Sequence, residues 1–376
     1  MPKLKFNPED VKSALTSSRI VKPLTKDLTL RIRGKNLHIL SQDSRSRSLS
    51  IVRSLDSDID DDYRSEDYYL SSDRHSILEA NLNSVVLTET DKGLSIKYED
   101  GLNVRQAQVR KRADNARRSR ADEIKFPEDG FPLNSRDFCK LLELVSCSAL
   151  VGDTKTDQDM KMNQVHFFKK ESCVYSNART YASVAFMPGI PFDISIVSSD
   201  LPQIRSFCSK LSGDNVIVYF DDHKIYFSDE LKTRLLTCTQ VKTSRPPLTI
   251  YSEDEHEVEL SCEPSVLNES INWAITSIEG TNKVGIKSVR QSEISFVELI
   301  GPTGQISRFE AIFTKGSSIS VEVHIDKLSQ LTRHIDGDII LIRTGHPILR
   351  DTIEVSNKVN SRVRVRHFLK CMRAQI

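Results

Sequence analysis

The chain is poor in the features that announce an enzyme or a membrane protein. It has no Walker-type glycine loop, no HExxH, no GxSxG and no zinc-ligand spacing. That leaves nucleotide hydrolysis, zinc proteolysis and serine-esterase chemistry without their usual carriers. Its seven cysteines are scattered with no C-x-x-C pair, which reads as reduced thiols in a cytosolic setting. No apolar run is long enough to span a bilayer. The N-terminus, Met1-Pro2-Lys3-Leu4-Lys5-Phe6, lacks the long apolar core of a signal peptide. Between Arg105 and Arg120 there is no aromatic residue, so that basic stretch has no platform for stacking single-stranded bases.

What is present is an ordinary globular composition. Of 376 residues, 38% are hydrophobic and 28% charged, which suits two or three domains with their own cores. The net charge of +1 hides local patterning. Arg105, Arg110, Lys111, Arg112, Arg117, Arg118 and Arg120 form a basic segment, read first as a solvated strand and linker and second as phosphate contact. Residues 56–67, DSDIDDDYRSED, form an acidic one. There Asp56, Asp58 and Asp60 have the first spacings of a calcium loop. Asp61 stands where that loop needs glycine and Asp67 where it needs a bidentate glutamate, so the segment reads as a solvated loop.

Helix signals recur in pairs along three stretches of similar length. The expected pairs are 8–19 with 72–83, 135–150 with 199–211, and 264–278 with 326–335. Asn7 before Pro8 sets an N-cap ahead of a proline at the first helical position, and Glu9 and Asp10 suit the helix dipole. Ser72-Asp73 and Ser199-Asp200 are expected caps of the second helices. Phe138, Leu141, Leu142 and Val145 share one helical face. The repetition is one of element order, without a residue-level period.

Strands are expected at 165–168, 173–186, 215–220, 224–227 and 231–239. Asp221-Asp222-His223 is a hairpin turn. His166 and His367 lie in apolar strand-like runs and read as structural. Val363, Val365 and His367 alternate with Arg362, Arg364 and Arg366, the pattern of a half-buried antiparallel strand. The fold class expected is α+β, antiparallel sheets backed by helices.

The order of elements from Gln164 to Pro247 resembles the middle domain of the bacterial-type DNA polymerase sliding clamps, the β clamp family. Ser176-Asn177-Ala178-Arg179-Thr180-Tyr181-Ala182 stands where the family carries T-D-G-H-R-L-A, with only the last residue identical. Met372-Arg373 near the end is similar to the family's closing M-P-M-R-L, without the proline and with a longer tail. The run from Val321 to Leu328 looks like the family's F-N-V-x-Y-L-x-x-x-L. The likeness covers the second and third stretches by motif and the first by length and element order. Such divergence suits a phage-encoded or otherwise distant clamp.

The resemblance implies three similar clamp domains, 1–125, 126–250 and 251–376, with antiparallel sheets outside and helices lining a pore. It implies a non-enzymatic processivity factor without cofactor or metal, cytoplasmic in a bacterium or its phage-infected host. Two copies would close a ring around double-stranded DNA. Helix position marks Lys12, Arg19, Arg74, Arg136, Lys140, Arg205, Lys210, Lys327 and Arg333 as pore cations. A cleft built from Arg179, Thr180, Tyr181, Pro246, Pro247, Ile325, Leu369, Met372 and Arg373 would capture short linear motifs of a DNA polymerase and a clamp loader. Two other readings are a clamp-fold tether for transcription or repair proteins, and a metal-dependent nuclease using the 56–67 carboxylates.

Overall fold

The computed structural model describes residues 3–21, 27–43, 46–57, 59–78, 84–100, 103–111, 129–149, 162–178, 180–211, 213–241, 248–252, 255–277, 282–291, 294–335, 337–357 and 363–373. They form two compact units. One combines Met1–Arg136 with Pro202–Gln240, the other Asp137–Leu201 with Val241–Ile376. Every strand pairing is antiparallel.

The first unit holds two sheets. The smaller runs Asp56–Ser57, Lys3–Phe6, Ser84–Thr90, Gly93–Asp100, Asn103–Val109 in spatial order. The larger runs Phe131–Asn134, Asn215–Phe220, Lys224–Ser228, Arg234–Thr239, Arg47–Arg53, Asn36–Gln42, Asp27–Arg33, Tyr68–Ser71. The helix Pro8–Ser18 starts as its sequence dictates: the Asn7 Oδ1 accepts the Glu9 N–H at 3.0 Å and Pro8 opens the first turn. Its buried stripe of Val11, Ala14 and Leu15 joins Leu4, Phe6, Leu30, Ile39 and Tyr68 in one core.

Asp221 closes the hairpin between Asn215–Phe220 and Lys224–Ser228. It accepts the N–H groups of His223 and Lys224 at 2.8 and 2.9 Å and the Tyr226 hydroxyl at 2.6 Å. Asp221→Ala is expected to lower the urea midpoint by the equivalent of about 1 kcal/mol, from lost turn hydrogen bonds. An unchanged midpoint would mean that the turn is held by its strands alone.

The second unit carries thirteen strands in one continuous order. They run Ser195–Val197, Gln164–Phe168, Cys173–Asn177, Tyr181–Phe186, Arg364–Lys370, Thr352–Asn357, Ile340–Thr344, Val258–Cys262, Ile306–Lys315, Ile294–Ile300, Lys283–Gln291, Ser320–His324 and Met372–Arg373. The pairing of Tyr181 with Leu369 and of Phe186 with Arg364 fixes a register between segments far apart in sequence. The helices Pro264–Ser277 and Ile325–Thr332 pack on each other. Their inner stripes are Leu267, Ile271 and Ala274, and Ile325, Leu328 and Leu331.

Several expectations are corrected. The 173–186 segment is two strands, because the chain reverses at Ala178, whose N–H donates to the Tyr181 carbonyl at 2.8 Å. The strand expected at 231–239 begins at Arg234. Residues 229–233 form a turn in which Asp229 accepts the Arg234 N–H at 2.9 Å. Of the helix expected at 72–83, the described part Ser72–Leu78 is a 3₁₀ helix, the tighter form that stacks residues three apart; its buried residues are His75 and Leu78. A 3₁₀ turn, Ser198–Asp200, precedes the helix Leu201–Ser209. The strand Arg364–Lys370 is buried on both faces, since Arg366 is covered along with Val365 and His367.

Candidate functional site

In the second unit the turn at Ala178 and the loop from His346 to Thr352 enclose a cleft of about 530 Å³. Its apolar walls are Met162, Tyr181, Tyr251, Leu349 and Phe368, and its rim carries Thr180, Arg350, Asp351 and Lys370. The rings are in mutual contact. Tyr251 lies 5.1 Å from Phe368 and 5.2 Å from Tyr175, whose hydroxyl is 3.2 Å from that of Tyr251. Aromatic packing of this kind adds to area burial and holds ring orientation.

Backbone bonds hold the walls. The Lys370 N–H donates to the Thr180 carbonyl at 2.7 Å and the Cys371 N–H to the Asp351 carbonyl at 2.9 Å. His346 Nδ1 accepts the N–H groups of Ile348 and Leu349 at 3.2 and 3.0 Å, as a capping side chain would. Its ring meets Phe368 edge-on at 6.2 Å.

Phe368 in turn lies against a buried ionic cluster. The Arg366 guanidinium stands 5.3 Å from the Phe368 ring centroid and grips Glu354 through two hydrogen bonds of 2.9 and 2.7 Å. Arg343 reaches Glu354 at 3.2 Å and Glu259 at 2.6 Å, and His256 Nε2 lies 2.9 Å from Glu354. Burial pushes the Glu354 carboxyl upward. His256, Arg366 and Arg343 outweigh it and hold the group at about 2.

Of the nine cleft residues expected from sequence, Thr180 and Tyr181 line the cleft. Arg179, Pro246 and Pro247 lie outside the described residues, as does the Arg373 side chain. Leu369 is buried between neighbouring strands. Ile325 is buried at its helix start, where its N–H donates to the Asn282 carbonyl. Met372 is exposed on a short strand paired with Ser320–His324. Sequence reasoning misses Met162, Tyr251, Leu349 and the role of Phe368. The run His346-Pro347-Ile348-Leu349, apolar residues beside a proline after Gly345, is the signal that could have marked one wall.

The expected pore cations fall in both units. Arg19, Arg74, Arg136, Lys210 and Arg333 are exposed, and Lys12, Lys140, Arg205 and Lys327 half-buried. Arg19 Nε donates to His75 at 3.1 Å, and Lys140 lies 3.6 Å from Glu143. Arg234, missed by sequence, bonds the Lys210 carbonyl at 2.7 Å and the Ser13 hydroxyl at 2.6 Å, tying two helix regions of the first unit.

The acidic segment is engaged internally. Asp67 holds the buried Arg31 through bonds of 2.6 and 2.9 Å, Asp61 lies 3.4 Å from Lys35, and Glu66 lies 3.4 Å from Lys111. Asp58 lies outside the described residues. Among the described residues no three His, Cys, Asp or Glu side chains converge as metal ligands. Ser183 and His367 are 2.6 Å apart, yet both are fully buried, and burial pushes the His367 ring down to about 3. With no path for a substrate, the pair is a core hydrogen bond. No described helix is long and apolar enough to cross a membrane.

No protein-family model and no curated protein sequence matches the chain. Solved structures do. The DNA polymerase III β subunit of Thermotoga maritima is 13% identical, with 100% of both chains covered and a TM-score of 0.76. The DNA polymerase III β subunit of Pseudomonas aeruginosa is 11% identical over 99% of this chain and 100% of that one, with a TM-score of 0.77. The β subunit of Caulobacter crescentus polymerase III is 13% identical, with 99% and 100% covered and a TM-score of 0.75. Over its full length, this chain has the fold of the bacterial DNA polymerase III β sliding clamps.

Proposed function

We propose that the chain is a sliding clamp, a ring that encircles duplex DNA and tethers the replicative polymerase without catalysing a reaction. What carries this is the likeness to a polymerase III β subunit across 100% of both chains. In this reading the chain comprises three domains, 1–125, 126–250 and 251–376, and two copies meet head to tail. Lys12, Arg19, Arg74, Arg136, Lys140, Arg205, Lys210, Lys327 and Arg333 give the pore a positive lining. Such cations hold phosphates through counterion release without reading bases, which suits a ring that must slide.

Ring closure has a physical candidate. Among the described residues, the strand Asn103–Val109 has a neighbour on one side only. So does the 306–311 part of Ile306–Lys315, because Val258–Cys262 pairs only with its far end. Open edges invite strand addition, and two unlike edges on one chain make a heterologous contact that can close a ring. The cleft is read as the capture site for short linear motifs of polymerase and loader, as concave apolar sites at packed junctions commonly are.

The test is electron microscopy of the purified protein with class averages. Six-lobed rings with a central hole are expected. Compact particles without a hole, persisting at high concentration and after cross-linking, would overturn the ring.

A further inference from the structure

The loop 346–351 leaves the strand Ile340–Thr344 through Gly345. The φ of +76° there, and the close approach of Glu257, would strain any residue with a side chain. Pro347, Ile348, Arg350 and Asp351 are exposed, and Leu349 is half-buried. His346 is the buried residue of the loop, at 1% exposure, edge-on to Phe368 and 5.4 Å from the His256 ring. Its Nδ1 accepts the N–H groups of Ile348 and Leu349 at 3.2 and 3.0 Å. An exposed loop is thus folded onto one buried imidazole. A neutral imidazole has one acceptor nitrogen and one N–H, so with Nδ1 accepting, Nε2 carries the hydrogen. A second proton can enter only at Nδ1, where it would face two N–H donors.

We infer that His346 is an acid-release latch: a proton taken from solvent at Nδ1 breaks both backbone bonds and frees the loop 346–351 from the sheet. This goes beyond the proposed function and does not depend on it. The sign follows from where the proton binds. The latched ring offers no site for it, whereas the released, solvated ring has the ordinary imidazole pKa of about 6.5. The latch is therefore in place above about 6.5 and weakens as pH falls below it. The released fraction grows about tenfold from pH 7 to about 5.5, and about tenfold more by about 4.5.

The elements packed round the ring carry other charges. Glu255, His256 and Glu257 precede Val258–Cys262, and Glu259 lies in that strand. Arg343, Glu354, Arg366 and Lys370 lie in the neighbouring strands, Tyr251 in the short helix Thr249–Ser252, and Arg350 and Asp351 in the loop itself. Glu354 stays ionised through the window, since its carboxyl is held at about 2, so Arg366 and Arg343 keep their partner. His256 lies 2.9 Å from Glu354, a contact that protonation of its ring preserves.

The test is hydrogen exchange of the full chain, read by mass spectrometry on peptides covering 347–352 and corrected for the intrinsic rate at each pH. Exchange of the Ile348 and Leu349 amides is expected to rise about tenfold from pH 7 to about 5.5. Over the same range the strand Arg364–Lys370 should change by less than about twofold. In His346→Asn the loop amides should also change by less than about twofold, because asparagine caps N–H groups two and three residues on and does not titrate. A flat response in the parent would overturn the inference without recourse to the variant. An equal rise in His346→Asn would assign the response to His256 or another group. A rise shared by Arg364–Lys370 would make it a general loosening by acid, and the latch would be wrong.

Discussion

Glu354→Ala is expected to destabilise the protein by about 3–5 kcal/mol. Glu354 is 1% exposed and is the common partner of Arg366, Arg343 and His256. Its removal leaves a buried guanidinium without its counter-charge, and an unpaired buried charge costs far more than the intact pair contributes. The pH dependence follows from the same contacts. The folded pKa of about 2 lies below the ordinary 4.5, so the group stabilises fully above about 4.5. That contribution fades as pH falls from there through 2. At about 1.36 kcal/mol per pH unit, the difference amounts to about 3 kcal/mol. Thermal melts of both proteins at neutral pH and across the acid range check both statements. The gap between them should narrow as the pH falls. A variant melting within about 1 kcal/mol of the parent at neutral pH would show that the cluster is not structural.

The consequence reaches the cleft. Arg366 bonds Glu354 through Nε and an Nη and stands over the Phe368 ring, and Phe368 forms cleft wall together with Tyr251. Loss of Glu354 should therefore weaken the peptide binding proposed for the cleft even where the variant remains folded.

Local chemistry in this chain was readable from sequence and non-local pairing was not. The Asn7-Pro8 cap and the Asp221 turn are contained within a few residues, and both form as the residue types require. The reversal at Ala178 carries no glycine or proline, so nothing in 173–186 distinguishes one long strand from a hairpin. Arg366 reads as a solvated strand residue until Glu354, twelve positions away, is placed opposite it by the Thr352–Asn357 pairing. The cleft shows the same division. Tyr181 is expected there by resemblance and lines the cavity, whereas Tyr251 and Leu349 reach it only through tertiary packing. The identity of 11–13% to solved clamps leaves the fold visible in element order and the site residues obscured.

Trp273→Glu is expected to convert the proposed ring to monomers. Trp273 is 46% exposed near the end of the helix Pro264–Ser277, with Ile275, also exposed, two positions on. That helix packs on Ile306–Lys315, whose open edge carries the exposed Ile306, with the exposed Ile312 further along the strand. On the other candidate edge, Asn103–Val109, Val104 is exposed too. An exposed tryptophan on a helix that packs on an open-edged strand suits the anchor of an interface, a role in which truncation typically costs about 2–4 kcal/mol. A glutamate adds the desolvation of an unpaired charge. A two-copy ring holds the contact twice, so assembly should weaken by on the order of a thousandfold or more. Because the indole is half in solvent, the fold of the single chain should be little affected, and unchanged far-UV circular dichroism controls for that. Sedimentation velocity across a concentration series reads the outcome. A parent that sediments as a dimer and a variant that sediments as a monomer would identify the helix end as part of the closing surface. Equal dimer stability in both would move the closing surface away from Trp273.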